Sequence, residues 1–116
     1  MNTNIAIVVP CFNTPRRLLA RTLSSIREST FEPAEIYVIN DGSTCTDLLE
    51  YLEIIEEEGD STKVIDLHPR RGLAEARNTG FEAVTSDYII PLDADDLLSP
   101  PFIEKTYRAI QRNPQA

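Results

Sequence analysis

Four short apolar runs alternate along the chain with longer segments whose apolar residues recur every three or four positions. The apolar runs, rich in Val and Ile, predict buried strands, and the three-to-four-residue periodicity of the longer segments predicts amphipathic helices. The predicted strands cover residues 5–9, 36–39, 64–67 and 88–92. The predicted helices cover about 15–27, 46–57, 73–84 and 101–113. This order predicts one α/β domain over residues 1–116, with a Rossmann-like, mostly parallel sheet and helices on both faces.

Local signals predict where these elements end. Pro10 is expected to end the first strand, and Thr14 to cap the first helix with Pro15 at its first position. Gly59 fits the position just after the second helix, and Asn113-Pro114 the end of the last. The third helix is expected to pack closely on the sheet through Leu73, Ala76, Gly80 and Ala83.

The fourth strand leads directly into three carboxylates, Asp93, Asp95 and Asp96. Like charges at such spacing repel, and either a hard divalent cation such as Mg²⁺ or Mn²⁺ or a solvated turn would relieve the repulsion. In a parallel sheet of strand order 3-2-1-4, ligands bind where the order reverses. The acids and the Pro10–Asn13 turn would flank that point, with Asp41 nearby.

Composition excludes several classes of function. The chain has 116 residues, of which 41% are hydrophobic, enough for a domain with a real core. A net charge of −8 argues against nucleic acid or anionic membrane as a general partner. With two cysteines, no secretory signal and no membrane-length apolar run, the expected location is cytoplasmic. Attachment to the inner face of a membrane through segments outside this chain stays open.

Common catalytic motifs do not occur in the sequence. No Gly-rich phosphate fingerprint follows the first strand, and there is neither a P-loop lysine motif nor a nucleophile elbow. We expect Cys11 to be a small buried residue rather than a nucleophile, and His68 to be a loop residue beside a proline.

Four segments taken in order resemble the successive signatures of the family 2 glycosyltransferases. They are IVVPCFN at 7–13, INDGST at 39–44, RGLAEARNTG at 71–80 and LDADD at 92–96. The resemblance implies the nucleotide-binding half of the GT-A fold and a nucleotide-sugar donor, with a UDP-sugar expected. It also implies inverting transfer of the sugar to an acceptor hydroxyl, on a glycan or lipid that the sequence does not identify.

The resemblance implies roles for residues around the nucleotide base. Pro10, Phe12 and Asn13 would line the nucleotide pocket, and Asp41 would accept a hydrogen bond from N3 of uracil. The residues alone leave a second interpretation of Asp41 open, in which its carboxylate bonds its own turn.

It likewise implies roles around the diphosphate. Arg77 would lie near the base and the diphosphate, although a solvated helix residue stays an alternative for it, and Arg71 would also belong to the substrate-binding residues. Asp93 and Asp95 match the DxD pair, with Asp93 toward the ribose and sugar and Asp95 holding a bridging Mn²⁺ or Mg²⁺. Asp96 is expected to support these ligands or the N-terminus of the next helix.

The general base of this family is a carboxylate well downstream of the DxD segment. No matching acidic motif follows Asp96, so we expect the chain to be the donor-binding part of a longer transferase, inactive alone and prone to self-association. Two alternatives remain, a sugar-phosphate nucleotidyltransferase-like domain and a non-enzymatic, Mg-binding flavodoxin-like domain. The first lacks its usual Gly-rich loop here, and the second usually clusters its acids after the first and third strands.

Overall fold

A computed structural model describes residues 2–58 and 61–113 of the chain. The strands are β1 (Ile5–Cys11), β2 (Glu35–Asp41), β3 (Thr62–Leu67) and β4 (Tyr88–Pro91). The helices are α1 (Arg16–Arg27), α2 (Thr46–Glu58), α3 (Leu73–Ala83) and α4 (Phe102–Arg112). All strands of the described sheet pair in parallel, which confirms the predicted α/β class, and their order β3-β2-β1-β4 is the one assumed above for the position of the ligand crevice.

The two faces of the sheet carry separate apolar clusters. On one face, β1 packs Ile5, Ile7 and Val9 against α1, α2 and α4. On the other, Val8 packs against Ala76 of α3. Burial on both faces explains why the central strands have continuous apolar sequences instead of alternating ones. The predicted placement of helices on both faces is confirmed.

Helix α3 approaches the sheet closely at Gly80. A Cβ at this position would lie 2.4 Å from Cγ1 of Val8, so only glycine fits without rearrangement. The predicted packing face is correct for Ala76, Gly80 and Ala83 but wrong for Leu73, which is 50% exposed. Leu73 is the first residue of the helix and lies at the rim of a crevice, not over the sheet.

Pro10 does not end β1, contrary to the sequence-based expectation, because the strand continues to Cys11. The N–H of Leu92 donates to the Val8 carbonyl at 3.0 Å, so the backbone N–H and C=O of Val8 point toward β4. Backbone groups two residues apart in a strand point the same way, so the nitrogen of Pro10 also points toward β4. Strand β4 has already ended at Pro91. The missing N–H of Pro10 therefore costs no hydrogen bond of the ladder.

The start of α1 also differs from the prediction. The helix begins at Arg16, and Pro15 occupies the N-cap position with an extended ψ of 133°. The carbonyl of Pro15 accepts the first helical N–H groups, and no side chain caps this end, so Thr14 is not the cap. The expected ends of α2 and α4 at Gly59 and Asn113-Pro114 involve residues 59 and 114, which lie outside the described residues.

Strand β4 is half-buried, although its apolar sequence predicted full burial. Within residues 2–58 and 61–113 it pairs only with β1, so it forms an edge of the sheet. Ile89 and Ile90 pack on opposite faces, and Ile103 of α4 is fully buried in the cluster that includes Ile90. None of the helices in this described part of the chain is long and apolar enough to span a bilayer.

Candidate functional site

A crevice opens at the carboxyl ends of β1, β2 and β4, where the strand order reverses. It contains two adjoining cavities of about 320 and 230 Å³, whose shared walls are Pro10, Cys11, Phe12 and Leu73. The larger cavity also includes Asn13, Asp93 and Asp95. The smaller one also includes Asp41, Arg70 and Ala76. The structure thus brings together residues that the sequence predicted from separate segments.

Another cavity, of about 400 Å³, lies at the opposite end of the sheet. Asn2, Ala34 and Ser61 are among its lining residues, and none of the predicted site residues contributes to it. Its position beside the amino ends of the strands is not where ligands bind in open α/β sheets.

Asp41 lies buried at the end of β2, with 4% of its side chain exposed. Strand β2 runs two residues farther than predicted because Asn40 and Asp41 pair with the neighbouring strands. The two carboxylate oxygens of Asp41 accept the backbone N–H groups of Arg71 at 2.7 Å and Gly72 at 3.0 Å. Asp41 therefore fixes the loop between β3 and α3, and its bond to a uracil base stays a prediction.

Two glycines with positive φ allow this loop to lie against the end of β2. Gly42 has φ of 69° and Gly72 has φ of 100°, both in the region that side chains disfavour. A Cβ on Gly42 would lie 2.6 Å from the backbone nitrogen of Arg70. The Asp-Gly pair at 41–42 thus allows close contact with a loop that is distant in sequence.

Arg70 is a site residue that the sequence analysis missed. Its guanidinium carbon lies 3.8 Å from the centroid of the Phe12 ring, and its Nε lies 3.7 Å from Oδ2 of Asp41. The adjacent Arg71, which was predicted as a site residue, donates its backbone N–H to Asp41, and its side chain is exposed. The sequence offered the signal of two adjacent arginines, but only the geometry separates their roles.

Asn13 lines the larger cavity, and its side-chain amide is bonded to the two residues that precede α2. Oδ1 accepts the N–H groups of Thr44 at 2.8 Å and Cys45 at 2.9 Å, while Nδ2 donates to the Thr44 hydroxyl at 3.3 Å. The Asn13 N–H donates to Ser43 Oγ at 3.0 Å. These bonds join the turns after β1 and β2, so Asn13 holds the shape of the crevice, and its contact with substrate stays a prediction.

Asp93 and Asp95 are exposed carboxylates directly after β4. Nη2 of Arg77, on α3, donates to Oδ1 of Asp93 at 2.9 Å, so Arg77 is not simply a solvated helix residue. Asp96 lies in a turn, where its N–H donates to the Asp93 carbonyl at 3.0 Å. It does not support the N-terminus of α4, which begins only at Phe102.

The donor set of the crevice fits a divalent cation that is shared with phosphate. No group of three or more side chains suited to a metal occurs within residues 2–58 and 61–113. Magnesium is usually held by one or two carboxylates together with water and substrate phosphates. Asp93 and Asp95 at one cavity wall meet that requirement.

Helix α1 positions the acidic loop through Thr22, which is fully buried. The Thr22 hydroxyl is shared between the carbonyls of Ala94 at 2.9 Å and Asp96 at 2.7 Å. Ser25 Oγ accepts the N–H of Leu98 at 3.0 Å. Thr22 recurs at helical spacing with Leu19, Leu23 and Ile26, so periodicity indicates its buried face, but its acceptors lie more than seventy positions away and give no local signal.

Cys11 and His68, the two other potentially reactive side chains in the sequence, lie where the sequence predicted. Cys11 is buried, and burial, reinforced by the negative charges of Asp66 and Asp41, raises the pKa of its thiol to about 12. A thiol protonated at neutral pH is a poor nucleophile, as expected. His68 is exposed in the loop before Pro69, also as expected.

The order of elements and the crevice at the switch point are those of a Rossmann-like α/β domain. The family model described as "Glycosyl transferase family 2" matches residues 6–116. The chain belongs to this family, as its four sequence signatures indicated.

Curated relatives extend over nearly all of this chain. An uncharacterized glycosyltransferase of Haemophilus influenzae is 34% identical over 97% of this chain and 34% of its own length. The glycosyltransferase GlyG of Streptococcus pneumoniae is 29% identical over 96% of this chain and 36% of its own length. A hyaluronan synthase of Streptococcus pyogenes is 28% identical over 90% of this chain and 26% of its own length. The chain therefore spans about a third of the length of the curated relatives it matches.

Solved structures show the same fold. Residues 1–349 of S. aureus TarS superpose with a TM-score of 0.82 and 22% identity, over 98% of this chain and 33% of that one. A complex of that protein with UDP-GlcNAc matches equally well. At this identity the likeness establishes the fold, which is that of the GT-A glycosyltransferases, as predicted.

Proposed function

We propose that this chain is the donor-binding part of an inverting glycosyltransferase that uses a UDP-sugar together with Mn²⁺ or Mg²⁺. The observation that carries the proposal is the convergence of an aromatic wall, a buried carboxylate and the DxD pair in one crevice. Membership of glycosyl transferase family 2 supports the reaction class. Complexes of the structurally similar TarS with UDP-GlcNAc and with UDP support the donor class.

The smaller cavity would take the nucleobase. Its walls include Pro10, Phe12 and Ala76, which offer apolar contact to a planar ring, and Arg70 adds a guanidinium plane beside Phe12. Asp41 is the polar group of this cavity. Each carboxylate oxygen has two lone pairs, so the bonds to Arg71 and Gly72 leave Asp41 with capacity to accept a uracil N3–H.

The larger cavity would take the diphosphate. Asp95 and Asp93 would hold the divalent ion there, which supplies Lewis-acid neutralisation of the charge that develops on the leaving diphosphate. Arg77, adjacent to Asp93, would donate to phosphate oxygens, for which a guanidinium is well suited. Asp93 would additionally face the ribose and sugar of the donor.

Sugar transfer further requires a base that removes the proton of the acceptor hydroxyl on the far side of the sugar. The described acids of the crevice belong to the nucleotide and metal side, so we propose that the base and the acceptor site lie in other parts of a longer protein. The acceptor would be a glycan or lipid. A cytoplasmic location, with contact to the inner face of a membrane through those other parts, belongs to the same proposal.

Calorimetric titration of the chain with UDP, with Mn²⁺ and then with a chelator, tests the proposal. We expect metal-dependent binding of the nucleoside diphosphate, which neither a nucleotidyltransferase-like domain nor a flavodoxin-like magnesium domain predicts. UDP binding of equal affinity in both conditions, or no UDP binding at all, would contradict it.

A further inference from the structure

The ion pair between Arg77 and Asp93 connects α3 with the segment that follows β4. Arg77 extends from α3 on one face of the sheet, and Asp93 follows β4. Their 2.9 Å contact is partly exposed, with 35% of the Arg77 side chain and 51% of the Asp93 side chain accessible. Asp93 is also one of the two carboxylates suited to a divalent cation, so an arginine already occupies one oxygen of the proposed metal site.

The arginine is incompletely satisfied in this arrangement. Its Nε is buried and has no hydrogen-bond partner within residues 2–58 and 61–113. A guanidinium has five N–H donors in a rigid fork, and the contact with Asp93 through Nη2 satisfies only part of it. A buried donor without an acceptor is costly. This donor can be satisfied only if the side chain moves, and a group that offers several acceptor oxygens close together, as a diphosphate does, would bond the guanidinium in its new position.

We propose that Arg77 and the divalent cation compete for Asp93, and that Arg77 transfers from Asp93 to the diphosphate when metal and nucleotide bind together. Arg77 is then a positioning residue that couples the two binding events. When the metal binds alone, it must displace the Arg77 guanidinium from Asp93. When the metal binds together with a diphosphate, the guanidinium gains the phosphate oxygens as new partners. This inference rests on the proposed function, since it assigns one of its residues a second task.

The inference predicts opposite effects of one substitution on two affinities. Arg77→Gln removes the competing charge, so the 116-residue chain should bind Mn²⁺ alone about two- to fivefold more tightly, the range expected for loss of a partly exposed ion pair. The same substitution should weaken UDP binding in the presence of Mn²⁺. The factor by which UDP strengthens Mn²⁺ binding should therefore fall. Electron paramagnetic resonance of free Mn²⁺, with and without UDP, measures both quantities.

Two control variants separate competition from general charge. Arg108→Gln removes the same charge and breaks an ion pair with Glu104 of 3.1 Å on α4, and it should leave Mn²⁺ affinity unchanged. Arg77→Lys keeps the positive charge and should bind Mn²⁺ alone about as the wild type does. Thermal melts of each variant verify folding.

The outcomes distinguish this inference from the proposed function. An Arg77→Gln variant that binds Mn²⁺ no more tightly than the wild type, or a gain matched by Arg108→Gln, overturns the competition whether or not UDP binds. Absence of metal-dependent UDP binding by the wild type contradicts the proposed function, whereas the comparison with Mn²⁺ alone still decides the competition.

Discussion

Single residues in this crevice have structural roles in addition to the binding roles proposed for them. Asp41 was predicted from the Asn-Asp-Gly-Ser signature, yet its bonds to the backbone of Arg71 and Gly72 could not be predicted, because thirty positions separate the partners. Arg70 was missed for the same reason, since its place over Phe12 depends on how that loop returns to the first turn. The signatures identified which segments form the site, and long-range contacts decide what each side chain does.

Asp41→Ala should affect both folding and nucleotide choice. Loss of two hydrogen bonds to a buried carboxylate should lower the free energy of unfolding by about 2–4 kcal/mol, as measured by urea denaturation. The variant should also weaken UDP more than CDP, because N3 of uracil donates a hydrogen bond and N3 of cytosine cannot. The exposed Asp47→Ala serves as a control and should cost less than about 1 kcal/mol. Equal weakening of the two nucleotides would limit Asp41 to holding the loop.

Asp95→Asn should remove most of the strengthening that Mn²⁺ gives to UDP binding. A neutral amide oxygen is a weaker ligand for a hard divalent cation than a carboxylate oxygen is. Asp96→Asn is the matched control, because it neutralises the adjacent exposed acid of the same loop and should keep most of the metal effect. Calorimetry of both variants with and without Mn²⁺ makes the comparison. An equal loss in the two variants would point to general negative charge instead of a ligand.

At the scale of elements, periodicity predicted each helix and strand, and the errors lie at their ends and edges. Pro10 remains within β1 because the neighbouring strand has ended, and β4 is half-buried because it lies at an edge of the described sheet. Such errors are expected from sequence alone, because neighbouring strands decide whether a proline or an apolar run fits. The prediction that Gly80 permits close packing of α3 was correct, since that constraint is a property of the helix face.

Gly80→Ala should destabilise the protein although alanine favours helices. The helix propensity of alanine would contribute about 1 kcal/mol, but its Cβ would lie 2.4 Å from Val8 Cγ1, and overpacking of this kind costs about 1–3 kcal/mol. The double variant with Val8→Ala provides the test, because removal of the valine methyl groups makes room for the new Cβ. Urea denaturation should show less than additive destabilisation. Strict additivity would contradict a direct contact.

Glu35, at the start of β2, holds the segment that leads into β4. Its Oε1 accepts the hydroxyl groups of Thr85 at 2.6 Å and Ser86 at 2.8 Å, and the backbone N–H of both residues. Burial alone would raise the pKa of this carboxyl, but the hydrogen bonds from Thr85 and Ser86 outweigh burial and lower the pKa to about 2. The ionised form is therefore favoured in the folded state.

This depressed pKa predicts an acid-dependent contribution to stability. The carboxyl of Glu35 has a lower pKa in the folded state than its ordinary value of 4.5, so its ionised form favours folding. Its contribution to the free energy of unfolding is therefore fully present above about pH 4.5 and disappears as the pH falls toward 2. Glu35→Gln should therefore be less stable than the wild type at pH 7, with a smaller difference at pH 3. Urea denaturation at the two pH values measures this change. A difference independent of pH would show that ionisation of Glu35 does not matter.

At the scale of the whole molecule, the order of elements and the site follow from one topological rule. Strand order β3-β2-β1-β4 places the ends of β1 and β4 side by side, so segments eighty residues apart in sequence form one crevice. Alternation and right-handed crossover leave few topologies, so assuming the common strand order 3-2-1-4 was enough to locate the crevice from the sequence. Surface exposure was less predictable, and Leu97 and Phe102, near β4 in sequence, are 56% and 44% exposed.

We expect the isolated 116-residue chain to self-associate near the β4 edge. Among the described residues, no strand pairs with the outer side of β4, and exposed Leu97 and Phe102 add apolar surface beside it. A net charge of −8 opposes association, so light scattering should show larger species as salt is raised and charges are screened. Replacing both residues by serine should reduce association, whereas Ile54→Ser, at a 39% exposed position on α2, should not. A monomer at high salt and high concentration would contradict this expectation. If the double serine variant and Ile54→Ser had equal effects, the association surface would not lie on the β4 side.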